Sequence, residues 1–269
     1  MEEPLPPMEP VLWPEPFDDA RWQFEVKWDG LRCLCYADGS SVRIYGRRGS
    51  EWTKRFPELR QAFAGRTGVF DGELVVLKEA RPSFPAVMRR LHRTEGPVHY
   101  MVFDCLSAGG EDLRARPLTE RQAELSRLPA DPCVHRVEGT VGEGRVLYDV
   151  VRRSGLEGIV AKRRDAPYVG GRSDLWRKVK CWRELRCTVL GVEESRGEIR
   201  SVRLGWREAG ITVPVGSVGG LGRGAQGNLR AALAQGPVEA LVGYLDWTED
   251  GRLRHPRWIG VAPHTGGRS

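Results

Sequence analysis

Short segments in which apolar and polar residues alternate recur along the chain, and they constrain its fold more than any other feature. In FEVKWDGLRC, the residues Phe24, Val26 and Trp28 alternate with charged residues ahead of the turn dipeptide Asp29-Gly30. Alternation with a period of two is typical of a strand with one buried face. Further strands are predicted over 22–45, with a turn at Asp38-Gly39, and over 69–77, 98–106, 159–162 and 176–180.

Helical signals separate these strands. The residues Thr119 to Gln122 fit a capping box that opens a helix, and Gly155 fits a C-terminal stop. Helices are predicted over 57–64, 84–91, 119–128 and 144–154. The pattern therefore indicates a domain that combines sheets with short helices.

The pattern of predicted elements changes after about residue 184 and becomes rich in strands. The helix predicted there covers 226–234, and β-rich stretches cover 187–193, 199–206, 211–218, 238–247 and 252–261. Five strands with one intervening helix are typical of a small closed barrel of the oligonucleotide-binding type, the OB fold. We therefore expect two domains, residues 1–183 and 184–269.

Charge and cysteine content indicate the class of partner and the cellular compartment to expect. The formal net charge is +6 and the isoelectric point is near 9.1, which favours an acidic partner such as nucleic acid. The chain has no long apolar run and no secretory pattern at its start, so we expect no membrane association. The six cysteines lack metal-like spacing and are read as reduced thiols, which predicts a cytoplasmic protein.

Four short motifs carry the candidate chemistry. They are Lys27-x-Asp29-Gly30-x-Arg32, Asp71-Gly72-Glu73, Glu157-Gly158-Ile159-Val160-Ala161-Lys162 and Trp176-x-Lys178-x-Lys180. Each alone fits a strand with one solvated face, and Asp29 and Asp71 before glycine also fit turns. Together they supply two lysines on one strand face, Lys178 and Lys180, and two carboxylates suited to a divalent cation, Glu73 and Glu157.

The four motifs together bear on whether Lys27 is a solvated surface lysine or a nucleophile. A solvated lysine has a pKa of about 10.4 and is almost fully protonated at neutral pH. It becomes a nucleophile only where burial or neighbouring cations lower that pKa. We expect Lys178, Lys180 and a bound metal to do this, and to stabilise charge on a phosphate under attack.

In this order the motifs resemble those of the covalent nucleotidyltransferases, which are ATP-dependent DNA ligases, RNA ligases and mRNA capping enzymes. The resemblance covers about residues 10–260 and is closest to bacterial end-joining ligases of the ligase C and ligase D group. The stretch Leu253-Arg254-His255-Pro256 resembles their closing motif. The resemblance implies an α+β fold: an adenylation (nucleotidyltransferase) domain of antiparallel sheets with flanking helices, followed by a C-terminal OB-fold β-barrel.

The resemblance also implies a role for each site residue. Lys27 is the adenylated nucleophile, and Lys178, Lys180 and Arg254 assist catalysis, with Arg254 approaching the ATP β,γ-phosphates when the barrel closes. Glu73 and Glu157 hold the metal, and Phe103 stacks on adenine beside Glu25. The residues implied in nucleotide binding are Glu25, Lys27, Arg32, Arg47, Glu73, Phe103, Glu157, Lys162, Trp176, Lys178 and Lys180.

The implied activity is ATP-dependent sealing of nicks or breaks in duplex DNA through lysyl-AMP and DNA-adenylate, in repair by non-homologous end joining. ATP and Mg²⁺ or Mn²⁺ are the implied cofactors, and the partners are duplex DNA and a Ku-type end-binding protein. A monomer in the bacterial cytosol or nucleoid is expected. The alternatives are an RNA ligase, a capping-type nucleotidyltransferase, and a non-catalytic nucleic-acid-binding relative.

Overall fold

The computed structural model describes residues 4–93, 96–208 and 210–263. The helices are α1 (Pro57–Ala62), α2 (Phe84–Arg93), α3 (Leu118–Leu125), α4 (Gly144–Arg153) and α5 (Arg223–Leu233), with a 3₁₀ turn at Thr53–Arg55. The first thirteen strands are β1 (Met8–Leu12), β2 (Trp22–Val26), β3 (Leu31–Asp38), β4 (Val42–Gly46), β5 (Thr67–Val75), β6 (Leu77–Lys78), β7 (Arg81–Pro82), β8 (His99–Ala108), β9 (Glu111–Asp112), β10 (Val134–Arg136), β11 (Thr140–Val141), β12 (Gly158–Arg163) and β13 (Gly171–Lys180). The remaining strands are β14 (Arg183–Ser195), β15 (Glu198–Glu208), β16 (Ile211–Gly219), β17 (Glu239–Tyr244), β18 (Asp246–Trp247), β19 (Leu253–Arg254) and β20 (Arg257–Val261).

The chain divides into two compact units, Met1–Cys181 and Trp182–Ser269. The division falls two residues before the boundary expected after residue 183. None of the helices in the described part of the chain is long and apolar enough to cross a membrane.

Two sheets build the first unit. One has the order β1-β13-β12-β2-β11, and the other has the order β10-β8-β5-β3-β4, with β9 beside β8. Most neighbours are antiparallel, but β1 pairs in parallel with β13 and β10 in parallel with β8. The sheets are therefore antiparallel as expected, except at two edges where strands distant in sequence pair in parallel.

The two sheets meet through a shared apolar layer. Leu34 and Phe103 come from one sheet, Met8 and Trp176 come from the other, and Tyr168 precedes β13. The outer face of the first sheet packs Trp22, Phe24 and Ile159 with Val151 of α4. The side chains of Gln23, Glu25 and Lys27 must then point the other way, because strand side chains alternate between faces.

Helix α3 is fixed to β8 by a buried ion pair. The guanidinium of Arg121 donates to both carboxylate oxygens of Asp104 at 2.8 and 2.9 Å, and both side chains are fully buried. The remaining N–H groups of Arg121 donate to the backbone oxygens of Arg116 and Ala166. The helix begins at Leu118, so Thr119 lies inside its first turn rather than at its cap as expected.

The second unit is a five-stranded sheet with the order β16-β15-β14-β17-β20, with α5 between β16 and β17 in sequence. The end strands β16 and β20 contact each other, which is the arrangement of a partly open OB barrel. Its core includes Val202, Leu229 and Val242. The glycine-rich stretch 216–224 ends β16 and leads into α5, but β16 pairs antiparallel with β15 and belongs to no parallel dinucleotide-binding unit.

Candidate nucleotide-binding and active site

A cavity of about 570 Å³ opens in the first unit and receives side chains from both of its sheets. Nine of the twelve residues implied by sequence line it: Glu25, Lys27, Arg32, Arg47, Glu73, Phe103, Lys162, Trp176 and Lys178. Glu157 and Lys180 join them through ion pairs described below. Arg254 lies in the second unit, on β19, opposite Asp246 of β18.

Strand register explains why distant motifs converge. In the β12–β2 ladder, Val160 lies opposite Glu25, and in the β12–β13 ladder it lies opposite Lys178. Lys27 follows the end of β2 and its backbone N–H donates to the carbonyl of Gly158 at 2.8 Å. Trp176, Lys178 and Lys180 share one face of β13 by their spacing of two. Three motifs therefore lie on adjacent strands of one sheet.

Lys27 is held in an ion pair. Its Nζ lies 2.6 Å from Glu157 Oε2, and the other carboxylate oxygen of Glu157 lies 3.6 Å from Lys180 Nζ. Burial alone would lower the pKa of Lys27, but the carboxylates of Glu157 and Glu73 more than offset it and raise that pKa. In this state the carboxylates outweigh the neighbouring lysines, and the expectation that Lys178, Lys180 and a bound metal together lower the Lys27 pKa stays a prediction.

Glu73 is the second carboxyl group near Lys27. Burial raises its pKa to about 7, against the opposing influence of Lys27 and Arg32. Among the described residues no cluster of three or more carboxylate, histidine or cysteine side chains forms a metal site. Two carboxylates are nevertheless a suitable protein donor set for Mg²⁺, which usually takes its other ligands from water and substrate phosphates.

Arg32 is fixed by a fork of hydrogen bonds. It donates to both oxygens of Asp71 at 2.5 and 2.6 Å and to the carbonyl of Met8 at 3.1 Å. The hydroxyl of Tyr168 donates to the same carboxylate at 2.6 Å. Asp71 is fully buried within β5, so the interpretation of Asp71 as a turn residue is wrong. Its function is to orient Arg32 towards the cavity.

Phe103 and Trp176 form an aromatic corner at the inner end of the cavity. The rings are 6.0 Å apart and meet edge to face. Lys162 Nζ lies 4.1 Å from the centre of the Phe103 ring and 2.6 Å from Glu25 Oε2. Both partners of that ion pair are 2% exposed. Lys162, which the resemblance implies in nucleotide binding, is paired with Glu25 in the structure.

Arg47 lies at the more exposed edge of the cavity. Its Nε and Nη2 groups donate to the two carboxylate oxygens of Glu9, at 2.6 and 2.5 Å. This two-pronged geometry is the one by which arginine also recognises phosphate. Glu9 was not expected at the site, because it precedes the motifs and reaches it only through the parallel pairing of β1 with β13.

Trp28 and Gln122 are two further residues that sequence reasoning missed. Trp28 was expected to pack in the core, but β2 ends at Val26, and its half-buried ring lines the cavity instead. Gln122 donates to the Glu25 carboxylate from α3, and no sequence signal connects that helix with β2. In contrast, the sequence could have predicted Gln23 as a neighbour of Glu25, since it lies two residues earlier on the same strand face.

The comparisons with known proteins agree with this geometry. Residues 15–180 match the family model of the ATP dependent DNA ligase domain. The SPbeta prophage-derived DNA ligase-like protein LigB of Bacillus subtilis is 36% identical over 170 residues, which is 61% of this chain and 63% of that protein. The multifunctional non-homologous end joining protein LigD of Mycobacterium bovis is 32% identical over 279 residues, which is 91% of this chain and 36% of that protein.

A solved structure of mycobacterial DNA ligase D complexed with ATP and MES has a TM-score of 0.63 and 30% identity, with 97% of this chain and 95% of that chain covered. The Chlorella virus DNA ligase-adenylate shares the fold at a TM-score of 0.52 and 14% identity, with 95% of this chain and 98% of that chain covered. The chain spans less than two thirds of the length of the Bacillus and Mycobacterium relatives. With its family model, its relatives and its lysine-centred cavity in agreement, the chain belongs to the ATP-dependent DNA ligase domain family.

Proposed function

We propose that this protein is an ATP-dependent DNA ligase that seals nicks or breaks in duplex DNA. The observation that carries the proposal is Lys27, which lies in a cavity of nucleotide size between the aromatic corner of Phe103 and Trp176 and the lysines of β13. In the first step, the Lys27 ammonium loses a proton to solvent, and the neutral Nζ bonds to the α-phosphorus of ATP and releases a second proton. The bond from that phosphorus to the bridging oxygen breaks, and pyrophosphate leaves. The product is a lysyl-AMP phosphoramidate.

Two further displacements complete the reaction. A 5′-phosphate oxygen of the DNA attacks the lysyl-AMP phosphorus and the amine of Lys27 leaves. The 3′-hydroxyl then attacks the 5′-phosphorus, loses its proton and expels AMP. Lys178 and Lys180 supply positive charge beside the phosphates that react. Arg47 offers its fork to the 5′-phosphate once Glu9 releases it.

Glu73 and Glu157 are the residues that would hold a divalent cation, Mg²⁺ or Mn²⁺. Such a cation would neutralise phosphate charge and favour in-line displacement. Its arrival would also compete with Lys27 for Glu157. The ion pair at 2.6 Å therefore holds the resting amine as an ammonium until substrate and cation are in place.

The working partners follow from the same proposal. A duplex bound through its backbone fits the net charge of +6 and predicts binding that weakens as salt is raised. LigD relatives are described as non-homologous end joining proteins, and we extend that role to this chain with a Ku-type end-binding partner. We further propose that it acts as a monomer in the bacterial cytosol or nucleoid.

The direct test is covalent labelling. We expect the protein to take up one AMP from labelled ATP with Mg²⁺, and to lose that mass on addition of pyrophosphate. Lys27→Ala should abolish the label while circular dichroism stays unchanged, and Lys54→Ala, at an exposed lysine, should label as the wild type does. Label that persists in Lys27→Ala would show that another residue is the nucleophile.

The alternatives give different outcomes. Label from GTP but not from ATP would indicate a capping-type enzyme. Adenylated protein that seals nicked RNA but not nicked DNA would indicate an RNA ligase. Absence of any label, together with salt-sensitive duplex binding, would indicate a non-catalytic nucleic-acid-binding relative.

A further inference from the structure

A closed network of hydrogen bonds lies behind Glu25. Oxygen Oε1 of Glu25 accepts from the side-chain amides of Gln122 at 2.8 Å and Gln23 at 3.1 Å, while Oε2 pairs with Lys162 at 2.6 Å. The amide of Gln23 also donates to the amide oxygen of Gln122 at 2.7 Å. The second N–H of Gln122 donates to the backbone carbonyl of Phe103 at 2.9 Å.

Gln122 connects the two walls of the cavity. Glu25 stands on β2 of one sheet and Phe103 on β8 of the other, and one amide group binds both. The helix that carries Gln122 is itself fixed to β8 by an ion pair. Its partners are Arg121, which adjoins Gln122, and Asp104, which adjoins Phe103. Gln122 of α3 and Lys162 of β12, which contacts the same two residues, therefore hold the carboxylate and the aromatic residue at a fixed separation.

The chemistry of this wall points to the base of a nucleotide. An ionised carboxylate only accepts hydrogen bonds, and Lys162 and the two amides occupy three of its roughly four acceptor positions. The position left can receive one donor. On the base of ATP the donor available is the 6-amino group, so a correctly turned Glu25 can recognise a base held against Phe103.

We propose that Gln122 is a positioning residue for base selection, which holds Glu25 at the separation from Phe103 that lets its carboxylate accept from the adenine 6-amino group. The inference rests on the proposed use of ATP. It assigns to α3, which contributes no cavity-lining residue, a part in choosing the nucleotide. Loss of the Gln122 amide would remove the shorter of the two donor contacts at the Phe103 carbonyl and one of three at the Glu25 carboxylate, and would leave Lys162 as the remaining group that contacts both.

The experiment compares two nucleotides that differ only at the 6-position. Initial rates of covalent labelling are measured with ATP and with purine riboside triphosphate, which lacks the 6-amino group, for wild type, Gln122→Met and Gln122→Leu. Gln61→Met is the matched control, since Gln61 is exposed on α1. Gln122→Leu also removes the donor without adding a charge beside Glu25, so it serves if the methionine variant does not fold.

We expect the wild type and Gln61→Met to prefer ATP by about 10-fold in kcat/KM, the usual value of one well-placed hydrogen bond. In both Gln122 variants this preference should fall towards 1, mainly through a higher KM for ATP. The proposal is overturned if the variants keep the wild-type preference, if they lose activity equally with both nucleotides, or if the wild type shows no preference. Wild-type protein that takes label from neither nucleotide would instead refute the proposed ligase function.

Discussion

At the residue scale, the charge state of Lys27 is set by carboxylates. Glu157 contacts the amine directly, and Glu73 adds to its field from the neighbouring sheet. A lysine held in this way is unreactive, since only the neutral amine is a nucleophile. The resting site thus favours binding over chemistry until its carboxylates are engaged by other cations.

Removing the nearer carboxylate should make Lys27 more reactive towards reagents while impairing the enzyme. In Glu157→Gln, the pKa of Lys27 should fall, because its closest negative charge is lost. We expect faster modification of Lys27 by an amine-reactive reagent at pH 8, followed by mass spectrometry, but less lysyl-AMP. Glu15→Gln, at an exposed carboxylate, is the control. Equal modification rates in wild type and Glu157→Gln would contradict the prediction.

Glu73 gives a test of stability against pH. Its pKa is about 7 in the folded protein and 4.5 in its ordinary state, so the folded protein binds more protons between these values. Stability must then fall as pH rises through that window. In the wild type we expect the free energy of unfolding to fall by up to about 3 kcal/mol between pH 5 and pH 8, given about 1.4 kcal/mol per pKa unit. Glu73→Gln should abolish this decrease. Urea unfolding at both pH values measures it, and parallel pH profiles for wild type and variant would refute it.

The motifs and the family resemblance together predicted much of this site. Six of the nine predicted residues that line the cavity lie in the four motifs, and the resemblance to the covalent nucleotidyltransferases added Glu25, Arg47 and Phe103. The ion pairs of Glu157, Asp71 and Glu25 were not visible, since each joins residues from separate elements. Sequence order does not reveal which carboxylate reaches which cation.

At the element scale, a buried ion pair between Arg121 and Asp104 ties α3 to β8. Arg121→Met should leave the Asp104 carboxylate buried without its partner, at a cost of about 3–5 kcal/mol in the free energy of unfolding. The double variant Arg121→Met/Asp104→Asn removes that charge and should recover part of the loss. Urea unfolding of both variants measures the difference. A double variant that is less stable than the single one would show that burial of the charge is not the cause.

The elements themselves were predictable where a local pattern governs them. The helices near 84–91, 144–154 and 226–234 and the stop at Gly155, whose φ is +70°, were expected from periodicity and turn chemistry. The parallel edges made by β1 and β10 were not, because parallel pairing depends on contacts between distant segments. It is one of these edges that places Glu9 beside Arg47.

At the scale of the whole molecule, the proposed reaction draws on residues from both units. The resemblance assigns Arg254, in the second unit, to the ATP β,γ-phosphates, which are present only in the first step. Arg254→Ala should therefore reduce lysyl-AMP formation by at least about 10-fold, the size of one charged contact in a transition state. Sealing of a nick that already carries AMP should change little. Arg252→Ala, an exposed arginine on the same hairpin, is the control.

An equal loss of both activities in Arg254→Ala would indicate a role in folding or DNA binding instead. The architecture of the second unit was predictable, since strand count and the position of one helix are enough to indicate an OB barrel, whereas the arrangement of the first unit came from the family resemblance. The partners of the active enzyme are not encoded in any local pattern and rest on the proposed function.

Trp28, Trp52 and Trp176 in the cavity wall give the protein an optical property of its own. Among the described residues, no group accepts a hydrogen bond from the indole N–H of Trp28 or Trp176. The emission of an indole depends on the polarity of its surroundings and on rings stacked nearby. Nucleotide binding should therefore change the intrinsic tryptophan fluorescence of the protein. Occupancy of the site can then be followed in real time without attaching a label.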